Sequence, residues 1–153
     1  MLSDSQKKEF FEGLCDELKG REFGFGYSKE EDLTPDVAGV LVDYRDARGY
    51  KSEICVWEDS TWIEKVDAFG HRYAPDVTME TGKAAYVAVE VKLLRDYFSL
   101  ARGIGQAIIN SAKYQYGIVF ALDLRRPNEK HEFDDGLCAS LWNNYRIRII
   151  IGQ

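Results

Sequence analysis

Two charged side chains stand inside an otherwise apolar run: residues 84–94 read AAYVAVEVKLL, with Glu90 and Lys92 two positions apart. Side chains alternate between the faces of a strand, so Glu90 and Lys92 project together while Val89, Val91 and Leu93 project the other way. Burying a carboxylate or an ammonium without a partner is costly, so this pair needs a task. Asp76 lies on the strand expected just before, 72–80, and Thr81-Gly82-Lys83 fits a hairpin turn between the two. The small Ala84 and Ala88 are expected on the face of Glu90, leaving room close to the sheet. Two acids against one base leave a surplus negative charge that a hard divalent cation would neutralise. Asp76 and Glu90 sharing Mg²⁺, with Mn²⁺ able to substitute, and Lys92 orienting or activating a water have the parts for phosphodiester hydrolysis. The plainer reading is a structural Asp76–Lys92 ion pair across neighbouring strands.

The elements that must hold these residues follow from periodicity. A helix is expected over 3–19, capped by Ser3 or Ser5, with Phe10, Phe11, Leu14, Cys15 and Leu18 on one face and Gly20 as its stop. Gly24 and Gly26 mark a turn, since no strand precedes them and no GK[ST] follows. A second helix is expected from Thr34, with Pro35 at its first position and Asp36 in its first turn, to Gly49. That capping pattern accounts for the Pro35-Asp36 pair without chemistry. Strands are expected over 50–57 and 61–69, broken by Gly70. After residue 94 comes a helix over 99–116, with Leu100, Ile104, Ile108, Ala112 and Tyr116 on one stripe and Arg102, Gln106, Asn110 and Lys113 on a polar one. A strand over 118–122, a short helix over 137–144 and a strand over 146–151 complete the chain. Strand-helix-strand order from residue 85 onward implies parallel pairing with right-handed crossovers, hence an α/β fold.

Pro75-Asp76 followed at a hairpin's distance by Glu90-Val91-Lys92 resembles the signature of the PD-(D/E)XK nuclease superfamily, which includes restriction endonucleases, Holliday-junction resolvases and RecB-like exonucleases. The resemblance covers roughly residues 34–122. It implies a restriction-endonuclease-like αβββαβ core within a single domain spanning 1–153, and a metal-dependent nuclease acting on DNA rather than RNA as a homodimer. GIGQAIINSAKY, with Gln106 and Tyr114, resembles a helix that adds a Gln and a Tyr to the site in several branches; Gln106 would then position water or phosphate. A further upstream acid is also implied, with Glu53 and Asp43 as the candidates. Arg102, Lys113 and Tyr114 are the candidate nucleic-acid contacts.

Other residues have blander readings. His71 is expected on a surface or hairpin, Glu80 facing solvent near the turn, and Trp57, Trp62 and Trp142 in the core or an interface. Arg125 and Arg126, with Arg102 and Lys113, form either a basic rim or a solvated surface. A net charge of −6 argues against a broad basic surface that holds nucleic acid unaided. Three widely spaced cysteines without CxxC point to a reducing, cytoplasmic setting. No run approaches the roughly 20 apolar residues of a membrane helix. Two other functions fit the same features: an inactive nuclease-fold module that binds a protein or nucleic-acid partner, and an RNA-cutting effector domain.

Overall fold

The computed structural model describes residues 2–49, 53–56, 64–81, 84–125 and 133–152, with the backbone alone at 53–56, 81, 84–85 and 97. In chain order the elements are α1 (Asp4–Gly20), α2 (Glu30–Arg48), β1 (Glu53–Val56), β2 (Val66–Ala68), β3 (His71–Tyr73), β4 (Val77–Thr81), β5 (Ala84–Leu94), α3 (Tyr97–Asn110), β6 (Tyr116–Asp123), α4 (Asp135–Tyr145) and β7 (Ile147–Gly152). The fold is mixed α/β. A five-stranded sheet has the order β1-β4-β5-β6-β7, antiparallel from β1 to β5 and parallel from β5 to β7; β2 and β3 form a separate hairpin. None of the described helices is long and apolar enough to cross a membrane. Trp57, Trp62, Arg126, the turn residues Gly82 and Lys83, and the side chains of Glu53 and Ala84 lie outside the described residues.

One face of the sheet carries α1 and α2. Phe10, Phe11, Leu14 and Leu18 of α1 and Leu33, Val37 and Leu41 of α2 are buried with Val87, Val89, Val91 and Leu93 of β5 and Ile118, Phe120 and Leu122 of β6. Ser3 starts α1 in a capping box with Gln6, each side chain bonding the other's backbone N–H. The opposite face carries α3, whose Leu100, Ile104, Ala107 and Ile108 pack with Val119 and Ile147. Trp142 of α4 stacks on Phe11 at 5.9 Å between ring centroids, with the Arg148 guanidinium 4.0 Å from its own, so this tryptophan is a packing residue.

Four expectations are corrected. Thr34 is not a cap: α2 begins four residues earlier, at Glu30, and the buried Thr34 hydroxyl donates to the Glu30 carbonyl at 2.9 Å. Glu30, Glu31 and Asp32 fill the first turn, where negative charge complements the exposed N–H groups and helix dipole. Asp76 is not within a strand but in the bend before β4. The helix expected to reach residue 116 ends at Asn110. Glu80 is buried rather than facing solvent.

Two backbone irregularities position the rest. The β4–β5 register shifts between Met79 and Glu80: Met79 pairs with Val87 but Glu80 with Ala85, leaving Tyr86 as the extra residue of a bulge. Tyr86 consequently joins Val87 in the core under α1, where its hydroxyl donates to the Lys7 carbonyl. The β2–β3 turn has Phe69 at φ 52° and Gly70 at φ 77°. Both are positive, as in the type I′ turns that match strand twist. Glycine adopts this region freely; holding Phe69 there costs roughly 1–2 kcal/mol.

Candidate functional site

The site forms where the sheet forks. Val77 opens β4 opposite Val89, so beyond that pair the β4 side of β5 has no strand partner among the described residues. Two edge amides without a strand partner among the described residues result, and two carboxylates face them. Asp76 Oδ2 accepts from the Val91 N–H at 2.8 Å, and Glu30 Oε1 lies 3.5 Å from the Leu93 nitrogen. Pro75, buried and without an N–H to satisfy, suits the segment entering β4. Arg95 braces the start of α2 by donating to the Ser28 carbonyl at 2.7 Å. Glu30, Glu31, Thr34 and Asp76 line a cleft of about 160 Å³.

Behind Asp76 lies Glu90, only 2% exposed, with its Oε1 accepting from Asn110 Nδ2 at 2.7 Å. Burial pushes the Glu90 carboxyl well above the ordinary range, and the neighbouring Asp76 charge pushes it further. Asp76 is raised too, chiefly by burial, against the opposing pull of the Val91 N–H, the Lys92 ammonium and a hydrogen bond with Glu90. Both carboxyls are thus held above their ordinary range, Glu90 further than Asp76. Lys92 is buried on the same face, and its Nζ lies 3.6 Å from Glu30 Oε2. Its ion-pair partner is thus Glu30 rather than the Asp76 of the plainer sequence reading.

Helix α3 can cover this face because it is small where it touches. A Cβ added at Gly103 would lie 3.0 Å from Lys92 Cγ and 3.2 Å from Val119 Cγ1, so the helix rests directly on the lysine stem. Asn110, two turns on, reaches Glu90; α3 thus runs antiparallel to β5. Asn110 Oδ1, Gln106 Oε1 and Thr78 Oγ1 are buried oxygens with no hydrogen-bond partner among the described residues. Thr78 pairs with Ala88, the residue next to Glu90 on this face.

The structure thus brings Asp76, Glu90 and Lys92 together and sets Gln106 on the covering helix. Tyr114 lies past the end of α3, buried, with its hydroxyl accepting from the Glu64 N–H at 2.9 Å and lying 3.2 Å from the Glu64 carbonyl. It clamps the segment before β2 and does not offer a ring to a ligand. Arg102 and Lys113 are exposed. Asp43 is exposed on α2 and pairs with Arg21 at 3.5 Å, away from the fork. The Glu53 backbone pairs with Glu80 at the far end of β4. His71 stacks edge-on against Tyr73 in the hairpin, and Arg125 is locked to Asp123 by two hydrogen bonds of 2.9 and 2.8 Å.

Sequence reasoning missed Glu30 and the role of Asn110. The acidic triplet Glu30-Glu31-Asp32 before an apolar-periodic run was itself a helix-start signal, masked by the stronger-looking Thr-Pro-Asp. Asn110 follows Gly103 and Ala107 on one helical stripe, and those small residues mark close approach to the sheet.

No group of three or more acidic, histidine or cysteine side chains is arranged to hold a metal among the described residues. The Asp76–Glu90 pair nevertheless fits Mg²⁺, which is commonly held by one or two carboxylates and keeps several waters. Acceptors without a partner among the described residues, such as Asn110 Oδ1 and Gln106 Oε1, are what such waters need. Compared with family models, with curated proteins and with solved structures, the chain has no match in any of the three.

Proposed function

We propose that this protein is a metal-dependent nuclease with a restriction-endonuclease-like core, hydrolysing phosphodiester bonds, in DNA ahead of RNA. The observation that carries the reading is the carboxylate of Asp76 at the cleft, set beside the buried carboxyl of Glu90 and the buried ammonium of Lys92. Asp76 and Glu90 are the residues that would hold Mg²⁺; when bound, the ion supplies charge neutralisation and an acidified water. Glu30, opening on the cleft, takes the place that Glu53 and Asp43 were expected to fill. Lys92, supported through its stem by α3, offsets negative charge on the phosphate. Asn110 fixes the Glu90 carboxyl, and Gln106 offers an acceptor to water. The acidic balance of the chain fits a substrate gripped through the site rather than through a broad basic surface.

Purified protein with Mg²⁺ or Mn²⁺ is expected to cut circular or linear DNA, tested beside RNA. Asp76→Ala, Glu90→Ala and Lys92→Ala are each expected to lose about 100-fold or more in rate. Cleavage that survives Glu90→Ala would refute the assignment. One observation favours the second reading, an inactive module: Lys92 already has an ion-pair partner within the protein, Glu30 at 3.6 Å, without a metal. Failure of Mn²⁺ to stabilise the protein would decide for that reading.

A further inference from the structure

Phe69 is the most exposed large hydrophobic among the described residues, at 107% of its reference area. It is held in left-handed backbone at a hairpin turn where Asn, Asp or Gly would sit without strain. A residue that is strained, apolar and fully solvated contributes nothing to this fold that Asn would not supply better. Its support, in contrast, is firm. Asp67 and Arg72 bridge β2 and β3 at 2.9 Å, the hairpin packs on α3, and the Tyr114 hydroxyl holds the backbone of Glu64 at its entry. The exit of β3 leads through residues 74 and 75 into Asp76.

We propose that Phe69 is a stacking wedge for an unpaired or unstacked nucleobase, so that the substrate class is DNA with a local break in base pairing; this rests on the nuclease reading of the Asp76–Glu90 site. His71 and Tyr73 pack edge-on against each other, so Phe69 is the lone ring at the turn, among the charged Glu64, Lys65, Asp67 and Arg72; one such ring matches one base, whose face stacks on any aromatic, better than an apolar protein surface, which needs a patch. Asp76 lies seven positions after Phe69, a span of seven Cα–Cα steps. Their reach is at most roughly 25 Å, or about seven base pairs of duplex. The cut phosphate therefore lies within that distance of the stacked base.

The test measures binding, with Ca²⁺ replacing Mg²⁺, to duplex DNA that is fully paired or carries a short bulge with 2-aminopurine in it. The wild-type protein is expected to prefer the bulged duplex by about tenfold or more and to change the 2-aminopurine fluorescence. Phe69→Ala and Phe69→Asn should both remove that preference, whereas Phe69→Trp should keep it. Phe69→Asn should at the same time raise Tm by a few degrees, which excludes misfolding as the cause of lost binding. Equal preference in wild type and Phe69→Asn would overturn the wedge, as would no binding to either DNA. Plasmid cleavage by wild type but not by Glu90→Ala, measured in parallel, shows whether the nuclease reading stands when the wedge fails.

Discussion

Glu90 is the residue on which the proposed chemistry turns, and its raised carboxyl makes a thermodynamic statement. Its carboxyl is raised in the folded chain relative to the ordinary glutamate value of about 4.3. The native state then binds more protons than the unfolded state once pH exceeds that value, so stability is lost as pH rises toward the folded pKa. The loss is complete above it. Glu90→Gln keeps the shape and a hydrogen-bond donor while removing the charge. In metal-free protein it is expected to be more stable than wild type at neutral pH, on the order of 1 kcal/mol, with the difference vanishing at acid pH. Urea midpoints across pH check this; a difference independent of pH would mean that the Glu90 carboxyl is not raised by folding.

At the level of elements, the two glycines of α3 are expected to behave differently. Gly105 has open space where a Cβ would go, while Gly103 is pressed against Lys92 and Val119. Gly105→Ala should stabilise by about 0.5–1 kcal/mol through reduced backbone freedom. Gly103→Ala should forfeit that gain to crowding, a contrast that paired denaturation curves would expose. Equal gains would place α3 further from the lysine. The same helix shows what could be read from sequence. Alternation in 84–94 is dictated by burial on both faces, so β5 and the shared face of Glu90 and Lys92 were legible. The end of α3 was not, because Ala112 and Tyr116 continue the apolar stripe and a stripe does not say where hydrogen bonding stops. The start of α2 was misread because Thr34-Pro35-Asp36 satisfies the local rules for a cap, while burial of Thr34 is decided by tertiary packing. Glu30 disappeared from view with it, and so did the fork, since a strand that parts from its neighbour leaves no mark in periodicity.

For the whole molecule, the proposed metal site would link ion binding, protonation and stability. A divalent ion that displaces the Glu90 proton should bind more tightly as pH rises, and Mn²⁺ at about 100 times its Kd should add about 2.7 kcal/mol of stability. For a chain of this length that is a rise in Tm of roughly 5–10 °C, absent in Glu90→Ala. Thermal melts against Mn²⁺ concentration at two pH values check both the size and the direction.

The bulge at Tyr86 has a consequence for how this chain tolerates change. The segment between Met79's partner and Glu80's partner works as a counter: one residue more than the opposing strand removes Tyr86 from the face that Glu90 and Lys92 use. Losing one residue there would bring a bulky ring around to that face, or slide the strand against β4, since a slip of one exchanges the faces. What is constrained at 85–87 is therefore the number of residues more than their identity. Point substitutions there should leave the alignment of Asp76 with Glu90 standing, and a single-codon deletion should destroy it.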